Sequence, residues 1–215
     1  MNQLALKAAS QNVSDEAAAQ APLANDLKDR RSQELVFALV GPLGSGCTTV
    51  ANELHKLLRN EYLYLAPKII TISDFIREGL KKKGKPLPSR ENGLDKYIAS
   101  MQDAGNDLRE EYGTTYLIEK AIEAIHTERK RAGGFNDGII LPKRIAYIVD
   151  SIKNIDEADL LRSVYGESLI LIGVFAPDSI RNKRLKIKEG KKQTFVEILR
   201  RDQGEEASFG QKTRK

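Results

Sequence analysis

Four near-continuous apolar runs, Leu35 to Val40, Lys68 to Ile72, Arg144 to Val149 and Ser168 to Phe175, punctuate a chain that is otherwise polar or helically periodic. Unbroken apolar runs belong to strands covered on both faces, so they predict a mostly parallel sheet between helical layers. Helical stretches fill the gaps. Val50, Ala51, Leu54, Leu57 and Leu58 share one stripe after the first run, and Leu117, Ile118, Ala121, Ile122 and Ile125 share another. Strands alternating with such helices imply right-handed crossovers and an α/β fold. Residues 131–143, "RAGGFNDGIILPK", predict a loop from their Gly, Asn, Asp and Pro. Residues 1–32 mix Ala, Gln, Asn, Ser and Asp with apolar residues too scattered to bury one another, which predicts a disordered leader ahead of one domain over 33–215.

At 215 residues and 40% apolar content the chain can fill one α/β core. The net charge of +5 is uneven: Arg181 to Lys215 holds twelve Lys and Arg against five Asp and Glu, a local +7. Such a segment suits polyphosphates or nucleic acid, and equally a solvated charged helix. The single cysteine, the lack of a signal peptide and the absence of any apolar run near ~18 residues predict a reducing, cytoplasmic setting without membrane contact. One cysteine excludes an internal disulfide and a cysteine-based zinc site within the chain, so no zinc is expected.

The first strand leads into "GPLGSGCTT". Gly41 and Gly46 meet the G-x-x-x-x-G frame of a phosphate-binding loop, with Pro42, Leu43, Gly44 and Ser45 between them and Cys47, Thr48 and Thr49 after. Glycines let the backbone turn its N–H groups inward around a phosphate, and the following helix adds its positive end. Thr48 stands where a hydroxyl reaches Mg²⁺. The loop lysine is absent, and Cys47 occupies its place. Backbone donors and Mg²⁺ still hold phosphate, whereas losing one preorganised oxyanion-type donor typically costs about two to three orders of magnitude in rate. Binding is therefore expected to survive better than catalysis, and no catalytic residue is assigned. A cysteine at a helix start has the option of a lowered pKa, but this one reads as a space-filling residue.

Asp150 closes the third run, at the place of a carboxylate that orients Mg²⁺, a position that also suits a helix cap. Ser73 and Asp74 in "ITISDFIREG" offer an N-cap, or else they introduce Arg77, one turn on, as a ligand for an acceptor phosphate. Arg181, Arg184, Arg200 and Arg201 lie on two helical stretches joined by a Gly-Lys-Lys turn, which form a basic flap over phosphates or a charged surface hairpin. His126 and Glu128 spell H-x-E, the first half of a zinc-deaminase signature, but P-C-x-x-C is absent and His126 reads as a surface residue.

Together "GPLGSGCTT", "ISDFIREG", "QDAGNDLREEYG", "IVDSIKN" and "RNKRLK...RRD" resemble the adenylate kinase and dephospho-coenzyme A kinase group over about residues 34–215. "ELVFALVGPLGSG", "QDAGNDLR", "VDSIKN" and "GQKTRK" look like the N-terminal P-loop domain of bacterial antiphage deoxycytidylate deaminases. The resemblance implies a three-layer P-loop nucleoside-phosphate-kinase-like fold whose last core strand is missing. It also implies a nucleoside triphosphate (ATP, GTP or a dNTP) with Mg²⁺ as ligands, and a zinc deaminase domain as partner in a longer protein. A homo-oligomer and a regulatory RNA are further candidate partners. Two alternatives stay open: an active nucleoside or nucleotide kinase whose lysine is replaced by Lys153 or a flap residue, and a protein or RNA interaction domain without ligand.

Overall fold

The computed structural model describes residues 34–65, 69–140 and 143–185. The expected leader and residues 186–203 of the basic flap, with Arg200 and Arg201, lie outside them. Strand β1 (Glu34–Val40) runs into helix α1 (Cys47–Asn60). Then come β2 (Ile70–Thr71), α2 (Ile72–Lys82), α3 (Leu94–Tyr112), α4 (Tyr116–Arg131), β3 (Phe135–Asn136), β4 (Ile139–Ile140), β5 (Ile145–Ile152), α5 (Ile155–Tyr165), β6 (Leu169–Gly173) and α6 (Asp178–Arg184).

The main sheet has the order β2-β5-β1-β6, all parallel. Parallel neighbours need crossovers, and the helices between them supply these. Alternation along β1 divides the core. Val36 and Ala38 face one apolar cluster with Ile76 of α2, Leu108 of α3, Leu117, Ile118 and Ile125 of α4, and Leu161 of α5. Phe37 and Leu39 face another with Cys47, Ala51 and Leu58 of α1. Three layers result, with four helices contributing to one face of the sheet and α1 to the other. The predicted stripes hold except at Leu57, which is exposed. Arg129, at the end of α4, clamps the start of β1 through a two-pronged pair with Glu34 at 2.6 and 2.9 Å.

Three sequence expectations need correction. The second strand covers only Ile70–Thr71, because Ile72 already opens α2. The third does not stop at Val149 with Asp150 as its end; β5 continues to Ile152, carried past a register shift where Leu39 faces Asp150 and Val40 faces Ile152. The 131–143 segment contains an antiparallel hairpin, Phe135 opposite Ile140 and Asn136 opposite Ile139. Its turn is Asp137-Gly138, both at positive φ (46° and 83°), the pairing that two-residue hairpin turns demand. Among the described residues β6 is an edge strand, while residues 186–215, where a further strand was expected to be missing, lie outside them.

Candidate functional site

The loop between β1 and α1 keeps its shape because larger residues do not fit. A Cβ on Gly41 would stand 2.4 Å from the Val174 carbonyl and 2.6 Å from Ser45 Oγ. Gly46 precedes α1 at φ 107°, a left-handed conformation natural to glycine. Ser45 N–H donates to the Pro42 carbonyl at 3.0 Å, which closes the turn.

Beside the loop, Thr48 Oγ1 donates to Asp150 Oδ2 at 2.7 Å. This joins the first turn of α1 to the neighbouring strand across 102 residues of chain. Asp150 is 4% exposed, and burial raises its carboxyl above the usual aspartate range, although the Thr48 hydrogen bond and the charge of Lys153 pull the other way. Lys153 Nζ donates to the Gly41 carbonyl at 2.8 Å. Cys47 points into the apolar cluster beneath the loop, its Sγ 3.5 Å from Ser45 Oγ. Burial raises its thiol, which opposes the reactive, low-pKa alternative.

A cavity of about 250 Å³ opens from Thr48, Asp150 and Lys153 toward α2 and α3, where Ser73, Tyr97, Met101 and Gln102 line it. Arg109, 1% exposed, also reaches this wall; its Nε and Nη2 bond Glu157 Oε1 at 3.1 and 2.8 Å. Arg77 bonds Ser73 Oγ, Asp74 Oδ1 and the Tyr97 hydroxyl, at 3.3, 2.7 and 2.6 Å, so it is tied to the cavity through Tyr97.

Of the basic flap, α6 is described. Arg181, 0% exposed, donates from Nε to the Leu43 carbonyl at 2.7 Å and pairs with Asp178. Arg184 reaches the carbonyls of Gly44 and Ser45 at 3.1 and 2.5 Å. Both therefore grip the loop by its carbonyls. Sequence reasoning missed Tyr97, Gln102 and Arg109 on the helix 94–112 and Glu157 on α5; the long polar-and-apolar helix was the available signal for the first three, but nothing along the chain says which of its polar residues turn inward.

A glycine loop between a first strand and helix, with the loop-end hydroxyl on an aspartate of the adjacent parallel strand, is the P-loop arrangement. The fold is α/β, with a parallel four-stranded sheet among the described residues. No protein-family model matches the chain. It is similar to a UPF0200 protein of Saccharolobus islandicus strain L.S.2.15, 23% identical over 172 residues, with 79% of this chain and 74% of that protein covered. A UPF0200 protein of Saccharolobus solfataricus gives the same figures, 23% over 172 residues, 79% and 74%. A UPF0200/UPF0201 protein of Archaeoglobus fulgidus is 24% identical over 174 residues, 80% of this chain and 45% of that one. Among solved structures, shikimate kinase from Acinetobacter baumannii in complex with shikimate aligns at TM-score 0.42 and 15% identity, covering 80% of this chain and 78% of that one. A gluconokinase from Sinorhizobium meliloti 1021 aligns at TM-score 0.33 and 16% identity, covering 82% and 81%. Among the described residues no helix is long and apolar enough to cross a membrane.

Proposed function

We propose that loop 41–49 binds a nucleoside triphosphate with Mg²⁺, and that the domain responds to nucleotide more than it turns it over. The observation that carries this is the Thr48–Asp150 hydrogen bond at the loop's end, which puts a hydroxyl beside a buried carboxylate. Those two groups fit a hard divalent cation: both are oxygen donors, and the raised carboxyl of Asp150 is a negative charge short of compensation. Mg²⁺, when bound, supplies charge neutralisation at the phosphates; Thr48 and Asp150 would hold it. Loop amides other than that of Ser45, which donates to Pro42, would bind phosphate oxygens, while Arg181 and Arg184 hold the loop carbonyls. Cys47 supplies no cation at the transferring phosphoryl group, which argues for slow chemistry.

The finer assignment, that this is the nucleotide-sensing part of an antiphage deoxycytidylate deaminase, is supported by the quoted motifs alone. The relatives named above carry no activity in their names. The coding sequence after codon 215 tests it: an H-x-E and P-C-x-x-C pair there supports it, and their absence counts against it.

A second reading, an active kinase, draws on the cavity beside Thr48 and Asp150, which has room for a small acceptor. A thermal-shift titration with ATP, GTP and the dNTPs, each with and without Mg²⁺, tests binding, because a ligand preferring the folded state stabilises it by RT ln(1 + [L]/Kd). Mg²⁺-dependent shifts are expected; flat titrations to millimolar would favour the ligand-free interaction domain. Robust phosphoryl transfer by the unmodified chain would favour the kinase.

A further inference from the structure

The loop lacks the lysine its spacing calls for, yet a lysine is present at the loop. Lys153 reaches Gly41 from the opposite direction, its Nζ 2.8 Å from the Gly41 carbonyl. Cys47 reaches the same glycine from the helix side: a Cβ on Gly41 would stand 3.0 Å from its Sγ. Where the motif's own position has turned to apolar packing, an ammonium has arrived on the residue that opens the loop. We propose that Lys153 is the phosphate-binding cation of this site, delivered from the end of β5 instead of from the start of α1. This rests on the nucleotide-site reading above and names the group that completes it.

Three observations single out Lys153 from the other basic residues nearby. It lines the same cavity as Thr48 and Asp150, whereas Arg181 and Arg184 are not among the lining residues and Arg109, which is, forks onto Glu157. It bonds the same glycine that Cys47 approaches, so its ammonium stands beside the missing lysine's position. Its root is also fixed. The Lys153 and Asn154 N–H groups donate to Glu157 Oε2 at 2.8 and 3.2 Å, and the other oxygen of Glu157 takes the buried Arg109 fork. A rigid root with a flexible four-carbon stem lets the ammonium exchange a neutral carbonyl for a phosphate oxygen, a stronger, charge-assisted partner.

Nucleotide affinity of the full chain, measured by calorimetry with Mg²⁺ and ATP, GTP or a dNTP, tests this. Lys153→Met should weaken triphosphate binding about ten- to hundredfold, the range expected for one hydrogen bond to a charged group. Lys153→Arg should retain part of the affinity, and adding Cys47→Lys to Lys153→Met should restore it. An independent readout leaves the chain unmutated: saturating nucleotide should shield Lys153 from an amine-reactive reagent followed by mass spectrometry, with exposed Lys130 unchanged. If the wild-type chain binds no nucleotide, the proposed function falls and takes this assignment with it. If it binds, and either Lys153→Met binds equally well or Lys153 gains no shielding, this assignment alone is overturned.

Discussion

Two buried carboxylates stand seven positions apart, and they are treated very differently. Glu157 is 0% exposed, and each of its oxygens is matched: Oε1 by two nitrogens of Arg109, Oε2 by two backbone N–H groups that cap α5. Asp150 is nearly as buried at 4%, but its Oδ2 accepts from the Thr48 hydroxyl with no matching fork, and burial dominates its titration. A carboxylate whose lone pairs are all matched is a structural part. One left short of positive charge is a place where a cation gains most by binding. The contrast separates the residues that shape this site from those available for ligand.

Breaking the Glu157 side should have the largest effect. Arg109→Ala or Glu157→Ala strands an uncompensated buried charge, which typically costs about 3–5 kcal/mol, with melting falling about 2–4 °C per kcal/mol at this size. Replacing both by apolar residues of similar volume, Arg109→Met with Glu157→Leu, should recover much of that loss; a double variant as unstable as the singles would show that the pair acts through the α5 cap instead.

Gly41→Ala comes next. Its Cβ would meet the Val174 carbonyl at 2.4 Å, so the loop must shift, and overpacking of this kind costs about 1–3 kcal/mol. Nucleotide-dependent stabilisation should vanish with it, measured as the melting shift at saturating ligand; an unchanged shift would mean that the loop tolerates the displacement.

Asp150→Asn should sharpen the comparison through pH. Because folding raises the Asp150 pKa, the folded chain holds that proton more tightly than the unfolded one. That contribution is fully present below the ordinary aspartate range and lost as pH rises through the raised folded value. At neutral pH without ligand, the Asn variant should therefore melt higher than wild type, and the gap should shrink as pH falls toward 4. A gap constant from pH 4 to 8 would contradict the assigned cause. With Mg²⁺ and nucleotide the order should reverse.

The smallest effect concerns Cys47, a residue 8% exposed whose thiol pKa is raised by burial. Alkylation should be slower than for a free thiol and its pH profile displaced upward; rapid labelling at pH 7 would refute the packed placement.

The positions of the strands and the glycine turn were legible in the sequence, though not the strand ends, since apolar run length and motif spacing are local; Thr48 and Asp150 were each named, but their hydrogen bond was not foreseen. The hairpin 135–140 was not, because Asn136-Asp137-Gly138 carries the chemistry of a loop and of a tight turn alike. Arg109 and Glu157 were hidden by 48 residues of separation: a charged residue in a polar helix gives no sign that its fork will be buried. Lys153 could be named only as one basic residue among several, and its bond to Gly41 is what sets it apart.

The grip of α6 on the glycine loop sets where the protein can be cut. Arg181 and Arg184 lie more than 130 residues beyond the carbonyls they hold, at Leu43, Gly44 and Ser45. A fragment ending after β6 would keep every described strand of the main sheet yet lose the outer wall of its own glycine loop. Any piece that is to keep those carbonyls held therefore runs at least through Arg184.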